Sequence, residues 1–317
     1  MSEIRRFLED GSQEINHGGS PDDCWLKMIT EGYLGMHYSG RRGGRDAALL
    51  DVTQDYALKI ISDAGLFGLG LTFKGGTALR KYRVGPKGRF STDLDFAAND
   101  ETIGELLMET LDGAEIFDVQ FQIQDAEGGR RGGLKVATPL GSPNIESKIE
   151  MVFRGPWLPE EMLDPIPMPF HRGLEFEPVA APVMALEENL AEKLAAFRRR
   201  GLVRDLYDLA LFGAGALDEP LIRKLTFLKI YTDVVEAGLG DGPFDPDLEI
   251  LGPKSSADFP SEDIGILTGE LDIDLWIRQV RDRFTFLSEA LENELQWGRC
   301  DPRDAYEVRG VIKDLRK

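Results

Sequence analysis

Apolar spacing divides the chain into three parts. Over residues 1 to about 65 the pattern is helical, clearest in RDAALLDVTQDYALKIISDAG (Arg45 to Gly65), which ends on a glycine suited to a helix C-terminus. From residue 66 to about 180 short apolar runs alternate with turns. LGLTF (Leu69 to Phe73) and STDLDFAA (Ser91 to Ala98) are strand candidates; between them Gly75-Gly76 breaks the first run and Thr77 can cap a short helix, TALRKY. A helix is expected near Thr102 to Leu111, then strands near Phe117 to Gln124, Gly133 to Thr138 and Glu146 to Phe153. In the last of these Lys148 and Glu150 share one face and Ile149, Met151 and Phe153 the other, the alternation of a half-buried strand. A Pro-rich connection (GPWLPEEMLDPIPMPF) follows, and from Pro182 helices dominate, with a loop expected from about Gly238 to Pro260. The expected organisation is an N-terminal helical segment, residues 1–65, a mixed α/β centre, residues 66–180, and a helical C-terminal domain, residues 181–317.

Composition narrows the class. With 317 residues and 42% apolar content the chain can bury a substantial core. The N-terminus lacks the apolar stretch of a signal peptide, and no segment is long and apolar enough to span a bilayer, so a cytoplasmic protein without membrane contact is expected. Cys24 and Cys300 stand far apart, and His17, His37 and His171 do not cluster, which argues against a disulfide framework or a zinc site. The net charge of -19 opposes indiscriminate nucleic-acid binding. Positive charge is nevertheless concentrated: no acidic residue separates Asp63 from Asp93, whereas Lys74, Arg80, Lys81, Arg83, Lys87 and Arg89 all fall there. Further basic groups stand at Arg130, Arg131 and Lys135, and at Arg198, Arg199, Arg200 and Arg204. Such concentrations point to an anion.

The candidate chemistry lies in KGGTALRKYRVGPKGRFSTDLDF (Lys74 to Phe96). Asp93 and Asp95, one residue apart on a strand, project from the same face. Two carboxylates that close repel, and a shared divalent cation resolves the repulsion; an ordinary polar strand face is the bland alternative. The Gly75-Gly76-Thr77 turn can cradle a phosphate with backbone N–H groups, although most glycine pairs are simply turns. With Arg89 and Ser91 added, the segment holds the parts phosphoryl chemistry needs. Glu150 is the candidate third carboxylate, a solvated strand face shared with Lys148 being its alternative.

The helix APVMALEENLAEKLAAFRRR sharpens the picture. With Leu186 at zero on a helical wheel, Leu190, Leu194 and Phe197 fall within ~80° on one side and Lys193 ~20° on the other, at ~100° per residue. Lys193 thus belongs to the apolar stripe, where an ammonium is costly unless it meets an anion or snorkels outward. In the following helix Asp205 faces the Leu209/Phe212 side, and Asp208 is expected to point further towards solvent. Asp205 either orients Lys193 or a proton carrier, or is an ordinary helix-start acid.

These motifs (KGGTALRKY…GRFSTDLDF, then KIE, NLAEKLAAFRRR and RDLYDL) resemble the AbiEii-type nucleotidyltransferase family, the toxins of type IV toxin–antitoxin pairs, together with the related MenT-like enzymes. The likeness runs from about Asp46 to about Phe212. It implies an α+β fold: a DNA polymerase β-like nucleotidyltransferase core, with a mixed, largely antiparallel sheet and helices, plus a helical C-terminal region. It implies transfer of NMP from an NTP with Mg²⁺, the acceptor of MenT-like members being the 3′ end of tRNA, and an antitoxin as partner. Carried over by motif, Gly76, Ser91, Asp93 and Asp95 belong to the first motif, and Lys148 and Glu150 to the second, where the family often has Asp instead of Glu. Lys193 belongs to the third, and Asp205, with Asp208 as companion, to the fourth. The working site has Asp93, Asp95 and Glu150 on the metal, with Lys74, Gly75, Gly76, Thr77, Arg89, Ser91, Lys148 and Asp208 on the nucleotide. Lys193 and Asp205 join the two aspartates as catalytic groups. The rival expectations are a nucleotidyltransferase acting on a small molecule or protein, and an inactive NTP-binding module.

Overall fold

The structure, a computed structural model, describes residues 43–139, 141–260 and 271–317. The helical reading of residues 1–42, with His17, Cys24 and His37, lies outside the described residues. The chain forms two compact units. Of the described residues, the first unit comprises 43–155 and 162–183, and the second comprises 156–161, 184–260 and 271–317.

In the first unit α1 (Gly43–Asp63) precedes a 3-10 turn (Leu66–Leu69), β1 (Thr72–Lys74), α2 (Gly75–Leu79) and a wider π-helical turn (Arg80–Val84). Then come β2 (Asp93–Ala97), α3 (Glu101–Leu111), β3 (Glu115–Ile116), β4 (Val119–Glu127), β5 (Arg131–Thr138), β6 (Gly141–Val152), β7 (Glu161–Leu163) and β8 (Ala181–Val183). The strands form one sheet in the order β3-β4-β5-β6-β2-β1-β8-β7. Neighbours β3/β4, β4/β5, β5/β6 and β1/β2 run antiparallel, whereas β2/β6 and β1/β8 run parallel. This is the mixed α+β arrangement the resemblance implied. One sheet face is apolar: Phe73, Leu94, Phe96, Ile149 and Met151 are buried in a core shared with Leu49, Val52, Tyr56 and Leu58 of α1 and Leu107 and Leu111 of α3. The opposite face, which the alternation of the strands leaves polar, carries the candidate chemistry.

Two local expectations are corrected. The first strand does not begin at Leu69, because Gly65 and Gly70, both at positive φ, bracket a 3-10 turn and delay it to Thr72. Thr77 does not cap the next helix. Gly75, at φ +77°, lets the chain turn straight out of β1, so the helix starts two residues earlier with Lys74 at the N-cap.

The second unit is helical: α4 (Leu186–Arg200), α5 (Val203–Gly213), α6 (Glu219–Tyr231), α7 (Pro246–Glu249), α8 (Ile273–Arg283), α9 (Glu292–Gly298) and α10 (Ala305–Leu315). Helix α4 packs on α5 and α6, and its stripe of Leu190, Leu194 and Phe197 is buried. Glu188, fully buried on α4, accepts the backbone N–H groups of Trp157 (2.8 Å) and Leu158 (2.9 Å) and an ion pair from Lys229 (2.7 Å). The expected loop from Gly238 to Pro260 contains α7 and a 3-10 turn, Ser256–Asp258. No helix among the described residues is long and apolar enough to cross a membrane.

Candidate active site

β2 lies between β1 and β6, and its alternation puts Leu94 and Phe96 in the core with Asp93 and Asp95 half-exposed on the other face. Register then decides their company, because partners on adjacent strands share a face. Asp95 stands opposite Lys74 on β1 and Glu150 on β6, and Glu150 stands opposite Arg131 on β5. Asp93 stands opposite Lys148. A row of alternating sign, Lys74–Asp95–Glu150–Arg131, therefore crosses four strands.

The double-glycine turn sits directly under this row. A Cβ on Gly75 would lie 2.0 Å from the Asp95 Oδ2, and one on Gly76 would lie 2.7 Å from the Arg89 Nη2 and 3.1 Å from the Ser91 Oγ. Asp95, Arg89 and Ser91 thus close over a floor of bare backbone, which only glycine supplies. The Thr77 hydroxyl does not face this floor: it donates to the Asp93 carbonyl at 2.5 Å. Glu150, expected as a third metal ligand, accepts from the Arg131 guanidinium at 2.9 Å.

The basic segment after the glycines is corrected more sharply. Arg80 and Lys81 are buried, and they serve α1 rather than an outside anion. Arg80 Nη2 meets Asp51 at 2.8 Å, and Lys81 Nζ meets Asp51 at 3.1 Å and Asp55 at 3.0 Å. Asp51, Gln54 and Asp55, at i, i+3 and i+4, make a polar stripe along an otherwise apolar helix. That stripe is the signal in the sequence that the segment's charges have internal partners.

In the second unit Lys193 is 8% exposed, so it does not snorkel. Its anions are Asp205 at 3.3 Å and Asp208 at 2.8 Å. Asp208 is buried instead of pointing to solvent, because α5 turns it towards that ammonium. Arg200 adds a two-pronged bond to Asp205, 2.7 and 2.9 Å. Burial pushes the Asp205 carboxyl up, but the Arg200 hydrogen bonds and the charges of Lys193 and Arg200 outweigh it and hold the group below the usual carboxylate range. The neighbouring arginines are also engaged internally, Arg198 with Glu249 (2.5 Å) and Arg199 with Asp233 (3.0 Å).

Among the described residues no group of three His, Cys, Asp or Glu side chains is gathered tightly enough to cage a metal ion. The Asp93/Asp95 pair is nonetheless a hard-oxygen donor set suited to a divalent cation that keeps waters and takes further ligands from substrate phosphates. Arg131 is the site residue that sequence reasoning missed: its basic character was visible, but its place beside Glu150 follows from sheet order.

An aspartate pair on a central strand, closed over a double-glycine turn in an α+β core, is an arrangement suited to phosphoryl chemistry on a nucleotide. The family model described as nucleotidyl transferase AbiEii toxin, type IV TA system, matches residues 59–296. The chain therefore belongs to the AbiEii nucleotidyltransferase toxin family, and it is a nucleotidyltransferase toxin of the type IV toxin–antitoxin class, with an NTP as substrate and an antitoxin as partner. Among solved structures it is similar to MenT4, a nucleotidyltransferase toxin from Mycobacterium tuberculosis H37Rv, at 40% identity and a TM-score of 0.86, covering 94% of this chain and 100% of that one. A candidate nucleotidyltransferase from H. pylori (17% identity, TM-score 0.47, 77% of this chain and 96% of that) and JHP933 from Helicobacter pylori (15%, 0.43, 82% and 97%) are remote. No curated protein sequence matches the chain significantly.

Proposed function

We propose that the protein is a cytoplasmic, Mg²⁺-dependent enzyme that transfers NMP from an NTP to the 3′ end of tRNA with release of pyrophosphate. The observation that carries the reading is the packing of the Asp95 carboxylate against bare Gly75 backbone, with Arg89 and Ser91 over Gly76. In this reading Asp93 and Asp95 hold the cation, and the amides of Gly75, Gly76 and Thr77, with Arg89, Ser91, Lys74 and Lys148, grip the triphosphate. The cation, when bound, neutralises phosphate charge and orients the attacking hydroxyl. Glu150 joins the metal ligands by exchanging its bond to Arg131. Lys193, Asp205 and Asp208 are assigned to the reaction on the family motif: the ammonium meets phosphate charge, Asp205 orients it, and Asp208 assists at the nucleotide.

The test is pyrophosphate release and 3′ extension of total tRNA with each NTP, comparing wild type with Asp93→Ala and Lys193→Ala. Both variants are expected to lose transfer by about 100-fold or more while keeping their fold by circular dichroism. Unchanged transfer in Asp93→Ala sinks the metal assignment. Nucleotide incorporated into a small molecule or protein, with none in RNA, replaces the tRNA acceptor with the rival class.

A further inference from the structure

Asp93 occupies an awkward place in the sheet. β1 ends at Lys74, whose partner is Asp95, so Asp93 lies beyond the end of that strand. Ser91 and Thr92 precede the first residue of β2 paired with β6. On the β1 side, ladder partners are therefore missing where the aspartate needs its backbone held, although Lys148 pairs with it on the β6 side. Three side chains take their place, each from a different element. The carbonyl of Ser91 accepts from the Gln54 Nε2 of α1 at 2.9 Å, that of Thr92 from the Ser147 Oγ of β6, and that of Asp93 from the Thr77 Oγ1 of α2 at 2.5 Å. Gln54, Thr77 and Ser147 are 2%, 0% and 6% exposed, so water does not substitute for them. The Thr92 hydroxyl in turn meets the Asp93 Oδ1 at 3.1 Å.

We infer that Thr77, Ser147 and Gln54 are positioning residues, which extend the hydrogen-bond ladder past the end of β1 and hold the Asp93 carboxylate in place for a divalent cation. Thr77 matters most. It lies two residues beyond Gly75, so one five-residue helix supplies both the floor under Asp95 and the clamp on Asp93. The hydroxyl fixes the distance between the two carboxylates by tying the backbone of one to the backbone beneath the other.

The inference rests on the metal role proposed for Asp93, and the experiment separates the two. Mn²⁺ binding to the full chain is followed by the electron paramagnetic resonance of free Mn²⁺, alongside pyrophosphate release and thermal melting. Thr77→Val keeps the shape and removes the donor; Ser147→Ala provides a second variant should that one fold poorly. Both are expected to weaken Mn²⁺ binding and lower kcat by about 10- to 100-fold, as loss of an outer-shell partner does. KM for the NTP is expected to stay within about twofold, and Thr77→Ser to restore binding. If Asp93→Ala abolishes Mn²⁺ binding while Thr77→Val and Ser147→Ala only lower the melting temperature, the positioning inference is overturned. If Asp93→Ala binds Mn²⁺ like wild type, the metal role itself falls.

Discussion

Gly75 shows how one residue can serve both backbone and site. Its φ of +77° already disfavours a side chain, and a Cβ would lie 2.0 Å from the Asp95 Oδ2 and 2.8 Å from the Asp95 Cβ. Alanine there must displace the aspartate, and a misplacement near 1 Å costs about 100-fold in rate. Gly75→Ala is accordingly expected to lower NMP transfer by about that factor, measured at saturating NTP. Gly76→Ala should cost less, since the nearest atom is the far end of the flexible Arg89 side chain, at 2.7 Å. Equal losses in the two variants would remove the distinction. At this scale the aspartates and glycines were legible from spacing alone, because i and i+2 on a strand fix a shared face. The Thr77 hydroxyl was not: spacing suggests a helix cap, and its actual partner, the Asp93 carbonyl, depends on how α2 sits against β2.

Among the elements, α1 does more than cover the sheet. Its Asp51 holds both Arg80 and Lys81 in a site where all three are nearly inaccessible, while Gln54 reaches the Ser91 carbonyl. A buried pair contributes little net stability over an apolar replacement, but removing one partner strands the other charges. Asp51→Ala is therefore expected to destabilise the first unit by about 3–5 kcal/mol, read from urea midpoints at constant slope. A loss below about 1 kcal/mol would show that solvent reaches these cations. Strands β2 and β6 and helices α3 and α4 were legible because their periodicities are long or clean. Strands β3, β7 and β8, of two or three residues, carry too little pattern to be read. Within the run from Lys74 to Arg89, Arg80 and Lys81 do not face an outside anion, for another reason. Charge along a sequence says nothing of what folds opposite, and for Arg80 and Lys81 the opposite element is α1, some thirty residues earlier.

Across the whole molecule the net charge of -19 must be reconciled with an anionic substrate and the proposed RNA acceptor. The sequence offers three basic clusters, and internal acids engage members of each, Arg130 and Arg131 pairing with Glu101 and Glu150. Arg80 and Lys81 belong to Asp51 and Asp55, while Arg198, Arg199 and Arg200 belong to Glu249, Asp233 and Asp205. Each cation so engaged would have to break a partnership to reach a phosphate, so the proposed contacts are kept to those of the triphosphate site, Lys74, Arg89 and Lys148, with Arg131 once its bond to Glu150 is exchanged. For roughly four contacts to a single strand, the slope of log binding constant against log salt is no steeper than about -3. The excess negative charge acts in the opposite sense. It repels RNA over a screening length of ~10 Å at about 0.1 M salt and further at lower salt, so added salt relieves part of the loss it causes. Binding of unextended tRNA, measured by filter retention between about 50 and 200 mM salt, is therefore expected to weaken by less than about 50-fold. A fall of about 1,000-fold or more across that range would require a far broader phosphate footprint, with the paired arginines of α4 released to form it.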